Sequence, residues 1–87
     1  MRQVVFGNKF LRSAKKLDKK LKPKLKSSLD VLLENSFHPT LRTKPLTGKL
    51  SDYYSFRIGR DHRVIFQFLS DELMYLIDIG HRKDIYR

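Results

Sequence analysis

A change in the hydrophobic period near residue 52 is the feature that most constrains this fold. The stretches "YYSFRI" and "HRVIFQF" alternate apolar and polar side chains, and "GRD" separates them. This pattern predicts a β-hairpin closed by a three-residue loop. Another apolar stretch, "LMYLIDIG", follows a polar turn at 70–72. The second half of the chain is therefore predicted to form a three-stranded antiparallel meander.

The last predicted strand is apolar on both faces, which is typical of a strand inside a sheet. Its neighbour on the other side is predicted to be the N-terminal strand, "MRQVVF". Residues 36–52 contain two prolines and a glycine and show no period, so they are interpreted as a long ordered loop.

The residues between the first strand and this loop have helical periodicity. Asn8 is a candidate N-cap, Pro23 is expected to open a second helix, and that helix should end near Asn35. The two apolar stripes comprise Phe10, Ala14, Leu17 and Leu21, then Leu25, Leu29, Leu32 and Leu33. The prediction is a single α+β domain, 1–87, in which about four strands in an antiparallel-rich sheet pack on an αα-hairpin, in the order β-α-α-β-β-β.

Positive charge is concentrated in the first half of the chain. Residues 1–50 hold 13 basic and 3 acidic side chains, whereas residues 51–87 hold 6 of each, for a formal charge of +10. Such a surface favours a polyanionic partner, RNA in particular, although a solvated lysine-rich helix surface is the simpler alternative. The candidate RNA-binding lysines of the helical hairpin are Lys15, Lys16, Lys19, Lys20, Lys22, Lys24 and Lys26.

Several function classes are disfavoured by composition. The chain has no cysteine, and the apolar run at 4–6 is too short for a signal peptide or a membrane span. No glycine-rich phosphate loop, paired-carboxylate site or HExxH motif is present. We therefore expect a cytoplasmic protein that requires no metal or other cofactor.

The hairpin register predicts two arginines directly opposite each other. A three-residue loop pairs Arg57 with Arg63 on the face away from the helices, where like charges repel by a few tenths to ~1 kcal/mol. Two adjacent guanidinium groups form a good receptor for a phosphate. The alternatives are two solvated arginines that splay apart, or a different register.

The C-terminal "IGHRKDIYR" adds further candidate site residues. We expect His81, Arg82 and Tyr86 to border the arginine face, because this segment continues from a central strand. Histidine transfers protons near neutral pH, arginine stabilises charge on a phosphate, and tyrosine stacks on bases. These groups suit metal-independent cleavage of RNA by its own 2′-hydroxyl. Lys49 and Tyr53, which precede the hairpin, are further candidate RNA contacts. Individually, a surface histidine and a tyrosine covering a sheet edge are ordinary features.

The sequence resembles the RelE/ParE superfamily of toxins from toxin–antitoxin pairs. The resemblance covers nearly the whole chain, and its specific parts are "LTGKLSDYYSFRIGRDHRVIFQF" and "IDIGHRKDIYR". It implies a compact α/β fold whose concave sheet face holds the site. It also implies a toxin that cuts mRNA in the ribosomal A site by 2′-hydroxyl attack, and an antitoxin, expected to be acidic, that covers this surface.

Site roles follow from the resemblance residue by residue. Arg57 and Arg63 match basic positions on the hairpin, and Arg82 and Tyr86 match the arginine and tyrosine of the closing motif. His81 is similar to the histidine that some branches use for acid–base chemistry. Two alternatives stay open: a ParE-like inhibitor of DNA gyrase and a non-enzymatic RNA-binding module.

Overall fold

The computed structural model describes residues 2–86 and confirms an α+β fold, with two helices packed on one mixed sheet. The sheet has five strands in the order β1-β5-β4-β3-β2. β1 runs parallel to β5, and the other neighbours are antiparallel. In chain order the elements are β1 (Gln3–Phe6), α1 (Asn8–Lys15), α2 (Lys22–Glu34), β2 (Lys44–Pro45), β3 (Tyr54–Ile58), β4 (His62–Phe68) and β5 (Leu73–His81).

The sheet contains one strand more than predicted. β2 pairs only with Tyr54 and Ser55 of β3, so it is too short to produce a period in the sequence. It lies within the predicted loop, between two short 3₁₀ helices at Pro39–Leu41 and Gly48–Leu50. The predicted interior position of β5 beside the N-terminal strand is confirmed.

The start of α1 depends on Gly7 and not on a side-chain cap. Gly7 is the N-cap, so the assignment of that position to Asn8 was wrong by one residue. The Gly7 amide donates to the Leu76 carbonyl oxygen at 2.9 Å, and a Cβ on Gly7 would lie 2.9 Å from the same oxygen. Only glycine allows the chain to pass this close to β5. The predicted helix around Pro23 is confirmed, because proline stands in the first turn of α2.

The core lies between the helices and one face of the sheet. Phe56, Val64 and Ile79 occupy paired positions on β3, β4 and β5 and are almost fully buried. The other buried members of this core are Phe10, Leu17, Leu32, Leu41, Ile58, Phe66, Met74 and Leu76. The apolar residues of the alternating β3 and β4 pattern therefore pack on the helices, on the face opposite the Arg57–Arg63 pair. No helix within residues 2–86 is long and apolar enough to cross a membrane.

A β-bulge in β5 changes which side chains face the helices. Phe66 pairs with Leu76, but the preceding residue of β4, Ile65, pairs with Asp78, so Ile77 is an extra residue. Side chains alternate between faces, and an inserted residue reverses the alternation beyond it. Ile79 consequently faces the core together with Leu76. The same shift pairs His81 with His62 and Gly80 with Arg63.

The C-terminal segment covers part of the sheet face opposite the helices. After β5 the chain turns, with the Ile85 amide donating to the His81 carbonyl at 3.0 Å. A Cβ on Gly80 would lie only 3.3 Å from Ile85 Cδ1, so this glycine makes room for the isoleucine. On the same face, Ser55 and Ile65 are 1% and 6% exposed. The sheet face that was predicted to hold the site is therefore partly covered by the C-terminal segment.

Candidate active site

The arginines of the β-hairpin are paired as predicted, but their side chains have different surroundings. Arg57 on β3 is directly opposite Arg63 on β4. The Arg63 guanidinium donates through Nη1 to the carbonyl oxygens of His62 and Arg60, at 3.0 and 3.3 Å. Arg63 thus reaches toward the hairpin turn, where the two carbonyl oxygens fix it.

Arg57 lies at a free edge of the sheet, because β2 pairs with β3 only as far as Ser55. It lines a cleft with α2 and the 3₁₀ helix Pro39–Leu41. Its Nε is buried and has no hydrogen-bond partner among the described residues. The two arginines therefore do not form one fork around a common point, and each has its own environment.

Arg82 lies beside the hairpin turn. Its amide donates to the Asp61 carbonyl at 2.7 Å, and its Nε is 3.6 Å from Asp61 Oδ1. The two side chains are 54% and 42% exposed, and an ion pair this exposed contributes only about 0–1 kcal/mol. The Arg82 guanidinium is consequently available to an anion at this end of the sheet.

The structure does not place His81 on the arginine face, contrary to the expectation from the sequence. The β5 bulge turns its side chain toward the helices, where its ring lies 5.5 Å from that of His62, centroid to centroid. The two rings line a pocket of about 270 Å³ together with Ser13, Lys16, Leu17 and Asp18. His81 is nevertheless the last residue of β5, so it stands at the same end of the sheet as Arg63 and Arg82.

The two histidines have distinct electrostatic and hydrogen-bonding environments. Burial lowers the pKa of His62, and the charges of His81 and Arg63 lower it further, while those of Asp61 and Asp18 oppose the shift. Neutral imidazole is therefore the dominant form of His62 at neutral pH. His81 accepts at Nδ1 from the Lys83 amide at 3.1 Å, which leaves Nε2 to exchange a proton.

We call the group at the hairpin end of the sheet the tip cluster. Arg60 and His62 were absent from the sequence-based set of site residues. The position of Arg60 in the hairpin turn was a signal in the sequence for including it. The sequence contains no such signal for His62, because only the bulge in β5 brings it next to His81. The members of the tip cluster are Arg60, Arg63, Arg82, His62 and His81.

Tyr86 lies on the sheet face opposite the helices, away from the hairpin turn. Its hydroxyl donates to Ser55 Oγ at 3.2 Å. It borders a pocket of about 400 Å³ with Lys44, Pro45, Leu46, Thr47 and Leu50. Tyr86 is 38% exposed, so its side chain is accessible for stacking.

The remaining predicted RNA contacts form no single site. Lys49 is exposed on the second 3₁₀ helix, and Tyr53 is half-buried, with its carbonyl accepting from the Leu46 amide at 2.9 Å. The lysines of the helical hairpin are all exposed, on α1, on α2 and on the connection between them: Lys15, Lys16, Lys19, Lys20, Lys22, Lys24 and Lys26. They form a cationic surface beside the tip cluster, since Lys16 and His81 line the same pocket. Within residues 2–86, no three His, Asp or Glu side chains converge as metal ligands do.

Comparison with known proteins places the chain in a family. The family model of the "ParE toxin of type II toxin-antitoxin system, parDE" matches residues 4–86. No curated protein sequence matches this chain.

Solved structures share the fold at low sequence identity. YafQ from E. coli strain BL21(DE3) is 21% identical over all of both chains, with a TM-score of 0.82. The YoeB/ParE toxin from Agrobacterium tumefaciens is 19% identical over 93% of this chain and 98% of its own, with a TM-score of 0.76. A chain of the RelB–RelE antitoxin–toxin complex from Methanococcus jannaschii is 21% identical over 94% of each chain, with a TM-score of 0.73. With the family match, these likenesses in fold lead to one conclusion: this chain belongs to the RelE/ParE superfamily of toxins of type II toxin–antitoxin systems.

Proposed function

We propose that this toxin is a ribosome-dependent endoribonuclease that cleaves mRNA by attack of a ribose 2′-hydroxyl on the adjacent phosphate. The observation that carries the proposal is the tip cluster, in which Arg63 and Arg82 share the hairpin end of the sheet with the His62–His81 pair. Cationic groups beside imidazoles supply the charge stabilisation and proton transfer that this reaction needs.

The groups of the tip cluster supply the proton transfers and the charge stabilisation of this reaction. One imidazole of the pair accepts the 2′-hydroxyl proton as the 2′-oxygen bonds to phosphorus. The bond to the 5′-oxygen breaks, and that oxygen takes a proton from the other imidazole in its protonated form. The products are a 2′,3′-cyclic phosphate and a 5′-hydroxyl. Arg63 binds the scissile phosphate, Arg82 stabilises the charge of the pentavalent transition state, and His81 exchanges the proton through Nε2. His62, held neutral by burial, lies beside it as a proton-accepting partner.

Binding of the substrate draws on residues outside the tip cluster. Tyr86 presents an exposed ring for base stacking, and Arg57 binds the RNA backbone next to the position of Arg63. The lysines of the helical hairpin dock on ribosomal RNA, supported by their exposure and by the net charge of +10. Lys49 and Tyr53 are secondary contacts on the loop side of the sheet.

A cognate antitoxin is the proposed protein partner. The RelE-type relative from Methanococcus jannaschii was crystallised with its antitoxin RelB. A partner that neutralises a chain of net charge +10 is expected to carry complementary acidic side chains. Covering the cationic surface and the tip cluster would block access of RNA to both.

The second candidate function is inhibition of DNA gyrase, in the manner of ParE-like members. The match of the ParE toxin family over residues 4–86 favours this alternative. Under this reading the tip cluster binds DNA or protein without performing chemistry.

One paired experiment tests the proposal. Purified protein is added to translating ribosomes with a defined mRNA, and the cut sites are mapped by primer extension; gyrase cleavage complexes are assayed in parallel. A-site cuts that Arg63→Gln and His81→Gln abolish support the endoribonuclease. Arg12→Gln, which removes the same charge as Arg63→Gln from an exposed position on α1, is expected to retain cleavage.

Other outcomes would contradict the proposal. Stabilised gyrase complexes with intact mRNA would support the ParE-like alternative. Ribosome binding with neither product would leave an RNA-binding module. Circular dichroism of each variant separates loss of activity from loss of folding.

A further inference from the structure

The cleft between α2 and the free edge of β3, here called the α2 cleft, combines basic and hydroxyl side chains. Its volume is about 420 Å³, within the range of about 300–1,000 Å³ that is usual for ligand sites. Lys24, Ser27 and Ser28 of α2 line one side, and Arg57 lines the other. The remaining lining residues are Pro23, Val31, Thr40, Leu41 and Gly59.

The Arg57 guanidinium is incompletely satisfied. Its Nε is buried without a hydrogen-bond partner in the described chain. A buried donor without an acceptor has lost its hydrogen bonds to water and gained none in return, and native structures seldom retain one without a reason. An acceptor supplied by a ligand would remove this cost after a small change of the side-chain torsions. The buried Nε of Arg57 is thus a donor in the cleft for which the described chain supplies no acceptor.

Lys24 brings a second cation to the same place. Its Nζ lies 3.9 Å from the position that a Cβ on Gly59 would occupy, so the ammonium group reaches the end of β3. Neither Lys24 nor Arg57 has an ion-pair partner within residues 2–86. Two unneutralised cations, with the hydroxyls of Ser27 and Ser28 nearby, are suited to bind the non-bridging oxygens of a phosphate.

We infer that the α2 cleft is a second phosphate-binding subsite, which takes a backbone phosphodiester of single-stranded RNA next to the one bound at the tip cluster. This inference rests on the proposed function for the nature of the ligand. Arg57 and Arg63 are paired residues, with Cα atoms about 5 Å apart. A strand bound at Arg63 can therefore pass over the edge of β3 and place a neighbouring phosphate in the cleft.

An RNA strand explains this arrangement better than an acidic peptide. Arg57, which lines the cleft, is paired across the hairpin with Arg63 of the tip cluster. A ligand with regularly repeated charge can use both places in one binding event. The subsite also accounts for the different surroundings of the two paired arginines, because each would bind a different phosphate.

The test measures RNA binding without ribosomes. Fluorescence anisotropy of a labelled uridine hexanucleotide is recorded with the full chain as salt increases. We expect Lys24→Gln to weaken binding at least about fivefold and to reduce the slope of log K against log [salt] by about 0.7, the contribution of one phosphate contact. Arg12→Gln removes one positive charge from an exposed position on α1, outside the cleft and outside the set of RNA-binding lysines, and should weaken binding less than about twofold.

A second measurement observes Arg57 directly. The Nε–H resonance of Arg57, assigned by its loss in Arg57→Lys, should shift on titration with the hexanucleotide. Equal effects of Lys24→Gln and Arg12→Gln, or an Arg57 resonance that does not respond to RNA, would overturn the subsite. A response to hexaglutamate and not to RNA would overturn it in favour of an acidic peptide.

The endoribonuclease and the phosphate-binding subsite can be rejected independently of each other. RNA binding that depends on Lys24, without cleavage on ribosomes, would retain the subsite and reject the endoribonuclease. Cleavage on ribosomes, with no difference between Lys24→Gln and Arg12→Gln in RNA binding, would retain the endoribonuclease and reject the subsite.

Discussion

The Tyr86 hydroxyl donates a hydrogen bond to Ser55 Oγ, 3.2 Å away on β3, which lies next to the edge strand β2. Ser55 is 1% exposed, so this contact satisfies a polar group that water cannot reach. It joins the C-terminal segment to β3 across the sheet face away from the helices. The Tyr86 ring is thereby held in one place while remaining accessible to a base.

Replacing Tyr86 by phenylalanine tests this contact. Tyr86→Phe should reduce the free energy of unfolding by about 1 kcal/mol, because it removes the partner of a buried hydroxyl. Urea denaturation measures the change. A double-mutant cycle with Ser55→Ala should give a coupling energy of about 1 kcal/mol. Additive effects of the two substitutions would show that the hydrogen bond does not form in solution.

The hairpin register could be predicted from the sequence because several signals agree there. The alternation of apolar and polar residues and the turn "GRD" together specify the Arg57–Arg63 pairing, and the structure has that pairing. The position of His81 could not be predicted, because β5 is apolar on both faces and its pattern does not reveal the extra residue at Ile77. One inserted residue therefore moved a candidate catalytic side chain to the other face.

The covering of the sheet face was also not visible in the sequence. The contact of Ile85 with Gly80 and the contact of Tyr86 with Ser55 are long-range packing interactions that leave no local period. The exposed lysines, in contrast, could be read from helical spacing alone. Local patterns thus predicted the elements and the basic surface, whereas the site depended on tertiary placement.

Gly7 should be the least replaceable residue at the junction of β1 and α1. We expect Gly7→Ala to reduce the free energy of unfolding by about 1–3 kcal/mol, because its Cβ would meet the Leu76 carbonyl oxygen at 2.9 Å. The matched control is Asn8→Ala, which should change stability by less than about 0.5 kcal/mol, since Asn8 is exposed and is not the N-cap. Urea denaturation of both variants distinguishes steric crowding from helix capping. A neutral Gly7→Ala would contradict the close approach to β5.

Asp78 anchors α1 to β5. Its Oδ1 accepts from the Ser13 hydroxyl and from the Ile79 amide, each at 2.8 Å, and its Oδ2 is 3.3 Å from Lys9 Nζ. Asp78→Asn weakens the charge-assisted bonds and removes the ion pair, so we expect a loss of about 1–2 kcal/mol in unfolding free energy.

The exposed ion pair at the hairpin turn provides the comparison for Asp78. Asp61→Asn should cost less than about 1 kcal/mol, because water screens the Asp61–Arg82 pair. Thermal or urea unfolding of the two variants measures the difference. Equal losses would mean that the part-buried contacts of Asp78 are no stronger than a surface ion pair.

The lowered pKa of His62 predicts a specific dependence of stability on pH. Its pKa is about 6.5 in the unfolded chain and lower in the folded protein, chiefly because of burial. At pH values near and below 6.5 the unfolded state therefore binds more protons than the folded state, and stability falls as the pH decreases through this window.

His62→Gln should abolish the part of this fall, between pH 7.5 and pH 5, that protonation of His62 causes. Urea denaturation at several pH values measures it, and the matched control is His38→Gln, which removes the histidine at the N-cap of the 3₁₀ helix Pro39–Leu41. A pH profile that His62→Gln leaves unchanged would show that burial does not disfavour the charged imidazole.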